Sequence, residues 1–282
     1  MKTGFVFEGG AYRTIFSCGV IDALLKNDIF PDYMIGVSAG CGYGVSYASR
    51  QYKRNLRILM RYCDDKRYLS LSNLFKKDNR SLFGLDFVYN TVPNKLIPFD
   101  YDTYDKFPGG FICTMTNVLT GKAEYRPYLS EDRHMHVLRA SCAIPLAFPK
   151  IYLDDIPYMD GGISDPVPFE KAFEDGCDRV VVVSTREKGY RKGPDRMMKR
   201  ILPLYKKYPQ FQEALETFTD RYNVQMNLLD KYEAEGRVFV FRPQKTVGIK
   251  MMEKDRRKLM YLYNDGFDQT VNMISDLRSY LS

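Results

Sequence analysis

Short apolar runs alternate with helical patterns near the N-terminus. Thr3–Phe7 and Tyr33–Val37 are typical of buried strands, while apolar residues at three-to-four spacing predict helices over Ile15–Leu25 and Ala39–Cys63. Strand, helix, strand, helix is the α/β pattern. It predicts a mostly parallel central sheet between helical layers, with right-handed crossovers.

The rest of the chain continues this alternation less regularly. Residues 70–104 read as irregular or as short helices. Further strands are predicted at 110–117, 123–126, 179–184 and 237–242, and helices at 131–140, 169–175, 212–235 and 253–281. We expect one α/β domain over 1–282, with a motif-bearing core at about 3–185, a helical, basic insertion at about 187–235 and a C-terminal strand and helices at 236–282.

Composition narrows the class. The 282 residues are 45% hydrophobic and 27% charged, which is typical of a globular chain and excludes a disordered one. The longest uncharged run, Tyr33–Ser49, is shorter than the ~20 apolar residues of a membrane span, so we expect a cytoplasmic protein. The six cysteines form no C-x-x-C pair, and no residue cluster has metal-ligand spacing. We therefore expect no metal site.

The net charge of +7 is unevenly distributed. Residues 50–80 and residues 186–210 each carry a net +7, and the remainder is net negative. Such clusters suit a solvated helix face or contact with an anionic partner.

The strongest local motif surrounds Ser38. Gly36-Val37-Ser38-Ala39-Gly40 is a G-x-S-x-G between a predicted strand and a predicted helix. A nucleophilic serine needs such a sharp turn to expose its hydroxyl, and the glycines let backbone segments approach closely. The alternative is a chance match in a Gly/Ser-rich turn.

A second glycine turn, Gly9-Gly10-Ala11-Tyr12-Arg13, ends the first strand. Its backbone N–H groups, at a helix N-terminus, suit an oxyanion hole. A phosphate-binding loop is the rival, but neither G-x-G-x-x-G nor G-K-[ST] is present. A plain strand-to-helix turn stays open as well.

A third turn presents a carboxylate. Asp160-Gly161-Gly162 is either a catalytic aspartate or an ordinary Asx-turn. His134 and His136 are the two histidines and both precede Asp160, whereas α/β-hydrolases place the triad histidine last. We expect both to be non-catalytic.

Together these residues resemble the patatin-like phospholipase family. Gly9–Arg13 matches its oxyanion motif, Gly36–Gly40 its nucleophile elbow and Asp160–Gly162 its aspartate motif, and residues 139–145 also match. The resemblance covers about residues 3–185 and is specific because the motifs occur in the family order. Ala11 departs from the family's third glycine, and the later residues are similar to a compact bacterial branch.

The resemblance implies a three-layer α/β/α fold and a Ser38–Asp160 dyad without histidine. Ser38 would be the nucleophile, Asp160 the general base and acid, and the N–H groups of Gly9, Gly10 and Ala11 the oxyanion donors. Arg13 would bind an anionic head group or form a structural salt bridge. The implied reaction is hydrolysis of a lipid or fatty-acyl ester, without a cofactor and without nucleic acid.

Several alternatives stay open on the sequence. The same acyl-serine could pass to an alcohol, as in an acyltransferase, or the scaffold could be a non-catalytic lipid-binding or regulatory protein. The basic segment 196–207 mixes cations with apolar residues. It suits a lid, a peripheral contact with an anionic membrane surface, or a helix packed on the core. The sequence leaves the oligomeric state undecided.

Overall fold

Eight strands form one sheet in the computed structural model, which describes residues 1–246 and 248–282 apart from the side chains of Arg196 and Met197. The order is β5-β6-β3-β2-β1-β7-β8, with β4 paired to β3. The strands are β1 (Thr3–Phe7), β2 (Tyr33–Val37), β3 (Phe111–Asn117), β4 (Ala123–Tyr128), β5 (Ile151–Leu153), β6 (Ile156–Asp160), β7 (Arg179–Val183) and β8 (Val238–Phe241).

The helices surround this sheet. They are α1 (Ile15–Lys26), α2 (Ala39–Ala48), α3 (Arg54–Tyr62), α4 (Tyr101–Tyr104), α5 (His136–Ser141), α6 (Phe169–Glu174), α7 (Arg196–Ile201), α8 (Pro209–Ala234), α9 (Arg256–Asn272) and α10 (Ile274–Leu281). Shorter helical turns cover Ala11–Thr14, Leu71–Phe75, Gly161–Ile163 and Leu202–Tyr205, and Phe87–Leu96 is a π-helix.

Both faces of the sheet are buried, which explains why its parallel strands are apolar without alternation. Phe5 and Phe7 point into a core shared with α1 and α2, whereas Val6 points into a core shared with α6 and α8. The strands β3-β2-β1-β7-β8 pair in parallel. The expected mostly parallel α/β sheet between helical layers is confirmed.

The predictions differ from the structure at several boundaries. The helix predicted over Ala39–Cys63 is wrong as one element, because Arg50 and Lys53 adopt positive φ and separate α2 from α3. The helix predicted at 131–140 begins only at His136, after Met135 at positive φ. The strand β5 was not predicted. β8, beyond the predicted insertion, pairs with β7 in the same sheet.

One edge of β3 sets the position of the site. Along that edge Thr114 pairs with Val37 at the end of β2, and the next residue, Met115, pairs with Asp160 at the end of β6. The hairpin strand β4 occupies the opposite edge of β3 over the same residues. The parallel strand β2 and the antiparallel strand β6 therefore meet end to end, which brings Ser38 and Asp160 together.

Candidate active site

Ser38 lies on a sharp turn between β2 and α2. Its backbone has φ 55° and ψ −129°, in the region that favours glycine. The turn has no room at its flanks: a Cβ on Gly40 would lie 2.3 Å from the Phe7 carbonyl oxygen, and one on Gly36 would lie 3.0 Å from the Phe111 ring. Tight packing thus holds the Ser38 backbone in a strained conformation, as a nucleophile elbow requires.

Ser141 supports this turn through two hydrogen bonds of its hydroxyl. Its buried hydroxyl accepts a hydrogen bond from the Ser38 N–H at 2.9 Å and donates one to the Thr114 carbonyl at 2.6 Å. The elbow is therefore tied to β3 through a single side chain. Ser141 belongs to the stretch 139–145 that was matched by resemblance, but the sequence assigned it no role.

The Asp160 carboxylate is buried at the end of β6. Its Oδ1 accepts a hydrogen bond from the Gly162 N–H at 2.8 Å, while Oδ2 has no hydrogen-bond partner among the described residues. Burial raises the pKa of Asp160 to about 6, against the opposing effects of the Ser38 hydroxyl, the Gly162 N–H and the charge of Lys192. The Ser38 hydroxyl thus faces this carboxylate without a hydrogen bond of standard geometry, a contact that typically tightens when substrate binds.

The glycine turn after β1 lies directly beside Ser38. A Cβ on Gly9 would lie 2.8 Å from the Ser38 Cβ and 3.6 Å from its Oγ, and one on Gly10 would lie 2.7 Å from Thr185 Oγ1. Ala11 takes φ 49° despite its Cβ. Among the described residues, no acceptor receives the N–H groups of Gly9, Gly10 or Ala11. These donors are therefore available at the serine.

Glu8 anchors this turn, a role that sequence reasoning missed. Its buried carboxylate accepts hydrogen bonds from the Ser184 hydroxyl at 2.5 Å and the Thr185 N–H at 2.7 Å on one oxygen. The Tyr222 hydroxyl donates to the other oxygen at 2.9 Å. An acidic residue at the end of an apolar strand was the available signal, because a buried carboxylate needs such partners.

An apolar cavity of about 860 Å³, counting its open mouth, includes Ser38 in its lining. It runs between α2, α3, α5 and the π-helix, so its walls come from segments far apart in the sequence. The lining includes Ala11, Tyr43, Tyr68, Phe83, Leu138 and Phe148. A cavity of this size and polarity suits a small apolar group or an acyl chain.

Arg13 lies close to the site without the salt bridge that was one of its predicted roles. Among the described residues no carboxylate lies within 4.0 Å of its guanidinium, and its buried Nε has no hydrogen-bond partner. Burial and the neighbouring Arg186 lower the pKa of Arg13.

The two histidines lie on the surface and are not part of the cavity lining. His136 Nδ1 is 2.7 Å from Asp132 Oδ1, and both His134 and His136 are exposed. Neither lines the cavity that contains Ser38. Within residues 1–246 and 248–282, no group of three or more His, Cys, Asp or Glu side chains could hold a metal ion.

The described apolar side chains of the basic segment 196–207 pack mainly inward, whereas its described cations are exposed. Ile201 and Tyr205 are buried, and Met198 and Leu202 pack against the main core, while Leu204 is 67% exposed. The side chains of Arg196 and Met197 lie outside the described part. In what is described, no helix is both long and apolar enough to span a bilayer.

The chain matches known protein families in two stretches. A family model described as patatin-like phospholipase matches residues 5–173, and a model for a domain of unknown function (DUF6363) matches residues 208–282. The chain belongs to the patatin-like phospholipase family. The family predicted from the motifs around Gly9, Ser38 and Asp160 is thereby confirmed, and membership supports a lipid hydrolase.

Two individual proteins are similar to this patatin-like chain. The uncharacterized protein YjjU of Escherichia coli (strain K12) is 27% identical over 190 residues, which are 65% of this chain and 52% of YjjU. The chain thus spans about half the length of that curated relative. The crystal structure of VipD from Legionella pneumophila matches with a TM-score of 0.46 at 14% identity, covering 98% of this chain and 67% of VipD.

Proposed function

We propose that this protein is a lipid acyl hydrolase that works through an acyl-serine intermediate. The observation that carries the proposal is the position of Ser38. It lies in a strained turn, beside the buried Asp160, and lines an apolar cavity. A nucleophile, a base and an acyl site are then within one small region.

The chemistry proceeds in two symmetric halves. Ser38 Oγ attacks the ester carbonyl carbon while Asp160 accepts the hydroxyl proton. The bond to the alcohol oxygen breaks, and the alcohol leaves with the proton from Asp160. Water then attacks the acyl carbon and gives a proton to Asp160, and the fatty acid leaves as Ser38 recovers that proton.

The glycine turn stabilises the charge that develops on the carbonyl oxygen. The free N–H groups of Gly9, Gly10 and Ala11 are the donors, and Glu8 holds their turn against β7 and α8. One oxyanion donor typically lowers the barrier by about 3–4 kcal/mol. This contribution compensates for the weakness of a carboxylate as a base for a serine hydroxyl.

The substrate would be drawn from a lipid surface. The helical turn Leu71–Phe75 exposes Leu71 by 71% and Phe75 by 88%. Exposed cations flank it at Lys66, Lys76, Lys77 and Arg80. Apolar side chains ringed by cations favour an anionic membrane surface.

This turn leads from the surface toward the acyl cavity. Close to it in the sequence, Tyr68 and Phe83 line the cavity wall, and Leu69 pairs with Phe83 across a short bridge. In this proposal the membrane contact is the turn at 71–75. The sequence analysis had considered the segment 196–207 for that contact.

Replacement of the dyad tests the function. We expect Ser38→Ala and Asp160→Asn each to lower hydrolysis of a fatty-acyl ester by about a thousandfold or more, because each removes one partner of a cooperating pair. Ser38→Ala should also abolish covalent labelling by a fluorophosphonate. The measurements are kcat/KM on a p-nitrophenyl acyl ester and labelling of the purified protein.

The matched control is the double variant His134→Ala, His136→Ala, which should retain activity. If that folded variant lost activity as completely as Ser38→Ala, the dyad assignment would be wrong. If Ser38 were labelled but acyl release required an added alcohol, the protein would be a transferase. An unlabelled and inactive Ser38 would favour a non-catalytic lipid-binding role.

A further inference from the structure

Two buried cations occur in the described part of the chain, and one of them has no counter-ion. Arg242 is 7% exposed and lies 2.9 Å from the Asp230 carboxylate and 3.2 Å from that of Glu233. Arg54 is 4% exposed, yet no described carboxylate oxygen lies within 4.0 Å of its guanidinium. An unpaired charge is costly when buried, because water cannot solvate it. Arg54 therefore differs from the unpaired cations on the surface.

Arg54 stays charged and keeps free hydrogen-bond donors. Burial lowers its pKa to about 10, which is still well above neutral pH. A guanidinium carries five N–H donors. Among the described residues they make two hydrogen bonds, from Nη1 to the Ser46 hydroxyl at 3.0 Å and from Nη2 to the Ile97 carbonyl at 3.1 Å, while the buried Nε has no partner. The remaining donors are available to a ligand.

The cavity that includes Ser38 in its lining also includes Arg54. Tyr12 lines the same cavity and is 2% exposed, and its hydroxyl has no hydrogen-bond partner in the described chain. Most other lining side chains are aliphatic or aromatic. Buried polar groups are normally hydrogen-bonded. Two unsatisfied groups on the wall of an apolar cavity therefore indicate a ligand that is largely apolar but carries oxygen atoms away from its ester.

Helix α2 sets the spacing between the nucleophile and the cation. Ser46, which accepts the hydrogen bond from Arg54, lies about two turns beyond Ser38 on this helix, a rise of about 12 Å. Ser46 also donates to Asn55 Oδ1 at 2.8 Å, and Asn55 Nδ2 donates to the Tyr43 carbonyl at 2.9 Å, so the start of α3 is fixed to α2. An extended chain advances about 1.2 Å per bond, and this spacing therefore corresponds to roughly ten bonds.

We infer that Arg54 binds a carboxylate at the far end of the acyl group, so that the preferred substrate is a half-ester of a dicarboxylic acid whose second carboxylate is free. This inference rests on the proposed function and specifies its acyl group. A carboxylate can accept two N–H groups of one guanidinium, the geometry to which arginine is best suited. The bond changes stay at Ser38: water replaces the alcohol on the ester carbonyl, and the distal carboxylate is left unchanged.

A pair of esters tests this acyl preference. 4-Nitrophenyl decanoate and the mono-4-nitrophenyl ester of decanedioic acid differ only at the far end of the chain. Arg54→Met should lower the ratio of kcat/KM for the diacid ester to that for the decanoate by about tenfold or more. Arg57→Met is the matched control, since Arg57 is exposed on the same helix and is not part of the cavity lining, and it should leave the ratio unchanged. An unchanged ratio in Arg54→Met would overturn the inference.

Two further comparisons distinguish recognition of charge from a structural role of Arg54. Arg54→Lys keeps the positive charge and should retain part of the preference, whereas loss of a purely structural contact would lower hydrolysis of both esters alike. The mono-4-nitrophenyl ester of butanedioic acid holds its carboxylate too close to the ester to reach Arg54. Its kcat/KM relative to 4-nitrophenyl butyrate should therefore not change in Arg54→Met, and a loss as large as that of the long diacid ester would contradict the inference.

Binding without turnover separates this inference from the proposed function. By calorimetry, the Ser38→Ala protein should bind monomethyl decanedioate about tenfold or more tightly than methyl decanoate, and added Arg54→Met should remove the difference. Equal binding of the two ligands by Ser38→Ala would refute the carboxylate site even if hydrolysis were confirmed. Binding that depends on Arg54, in a protein that hydrolyses none of the esters, would support the site and refute the hydrolase function instead.

Discussion

At the scale of single residues, Asp160 determines the acid limit of the proposed reaction. It must be ionised to accept the Ser38 proton, and burial raises its pKa to about 6. We expect kcat/KM on a neutral ester to fall in inverse proportion to proton activity, about tenfold per pH unit, below about pH 6. A pH profile on a p-nitrophenyl ester measures this limit.

Lys192 tunes that limit, since its positive charge favours the Asp160 carboxylate. Lys192→Met should therefore move the acid limb to higher pH, whereas Lys188→Met, which alters a surface ion pair, should not. An acid limb near pH 4, about the ordinary pKa of an aspartate, would contradict the role given to Asp160. An acid limb that Lys192→Met leaves unchanged would contradict it as well.

At the scale of elements, α2 carries the nucleophile and also lines the acyl cavity. Gly42 lies one turn beyond Ser38 on this helix, lines the cavity, and a Cβ there would meet no atom within 4 Å. Gly42→Leu should occupy part of the cavity and lower hydrolysis of a palmitate ester by about tenfold or more relative to a butyrate ester. The comparison of kcat/KM for the two esters measures this effect.

Gly42→Ala adds little volume and serves as the control. Both substitutions also favour the helical conformation over glycine, so loss of folding is not expected. Equal losses on the palmitate and butyrate esters in a folded Gly42→Leu protein would show that the acyl chain lies elsewhere.

The helical turn Leu71–Phe75 is the second element with a testable role. Leu71→Ser together with Phe75→Ser should weaken co-sedimentation with phosphatidylglycerol vesicles by about tenfold or more, because two large apolar side chains leave the acyl boundary. Binding of the unaltered protein should weaken with added salt.

Leu204→Ser is the matched control, since Leu204 is 67% exposed within the basic segment 196–207. If Leu204→Ser weakened vesicle binding more than the Leu71→Ser, Phe75→Ser variant, the membrane contact would be the segment 196–207. Absence of vesicle binding by the unaltered protein at low salt would remove the membrane contact from the proposal.

At the scale of the whole molecule, the C-terminal helices are built into the core of the motif-bearing part. α9 packs backbone to backbone against α1: a Cβ on Gly19 would lie 2.0 Å from the Tyr263 carbonyl oxygen, and one on Gly266 would lie 2.2 Å from that of Phe16. Gly266→Ala should lower the free energy of unfolding by about 1–3 kcal/mol, because overpacking forces the helices apart.

Urea unfolding followed by circular dichroism measures this loss, with Gly193→Ala as the control because a Cβ there meets nothing within 4 Å. The unfolding should remain one cooperative transition. Two separate transitions would show that the residues matching the domain of unknown function fold apart from the sheet.

Much of the central fold was accessible from the sequence, because it depends on local patterns. The strands Thr3–Phe7 and Tyr33–Val37 were predicted with the bounds observed, since apolar runs of this length buried on both faces form parallel strands. Neither β5 nor the antiparallel β6 was predicted from the sequence. Their short, mixed sequences carry no strand pattern, and pairing with β3 defines them.

The sequence by itself determined the family, the central sheet and the residues proposed for chemistry, because each turn that carries them requires particular small residues at fixed spacing. Only the tertiary structure decided which distant groups meet. The shared edge of β3 brings Asp160 to Ser38, and packing of α8 brings the Tyr222 hydroxyl to Glu8 beside the glycine turn. A charge pattern along the chain identifies basic stretches, but which of their cations form ion pairs depends on packing between segments that no local pattern records.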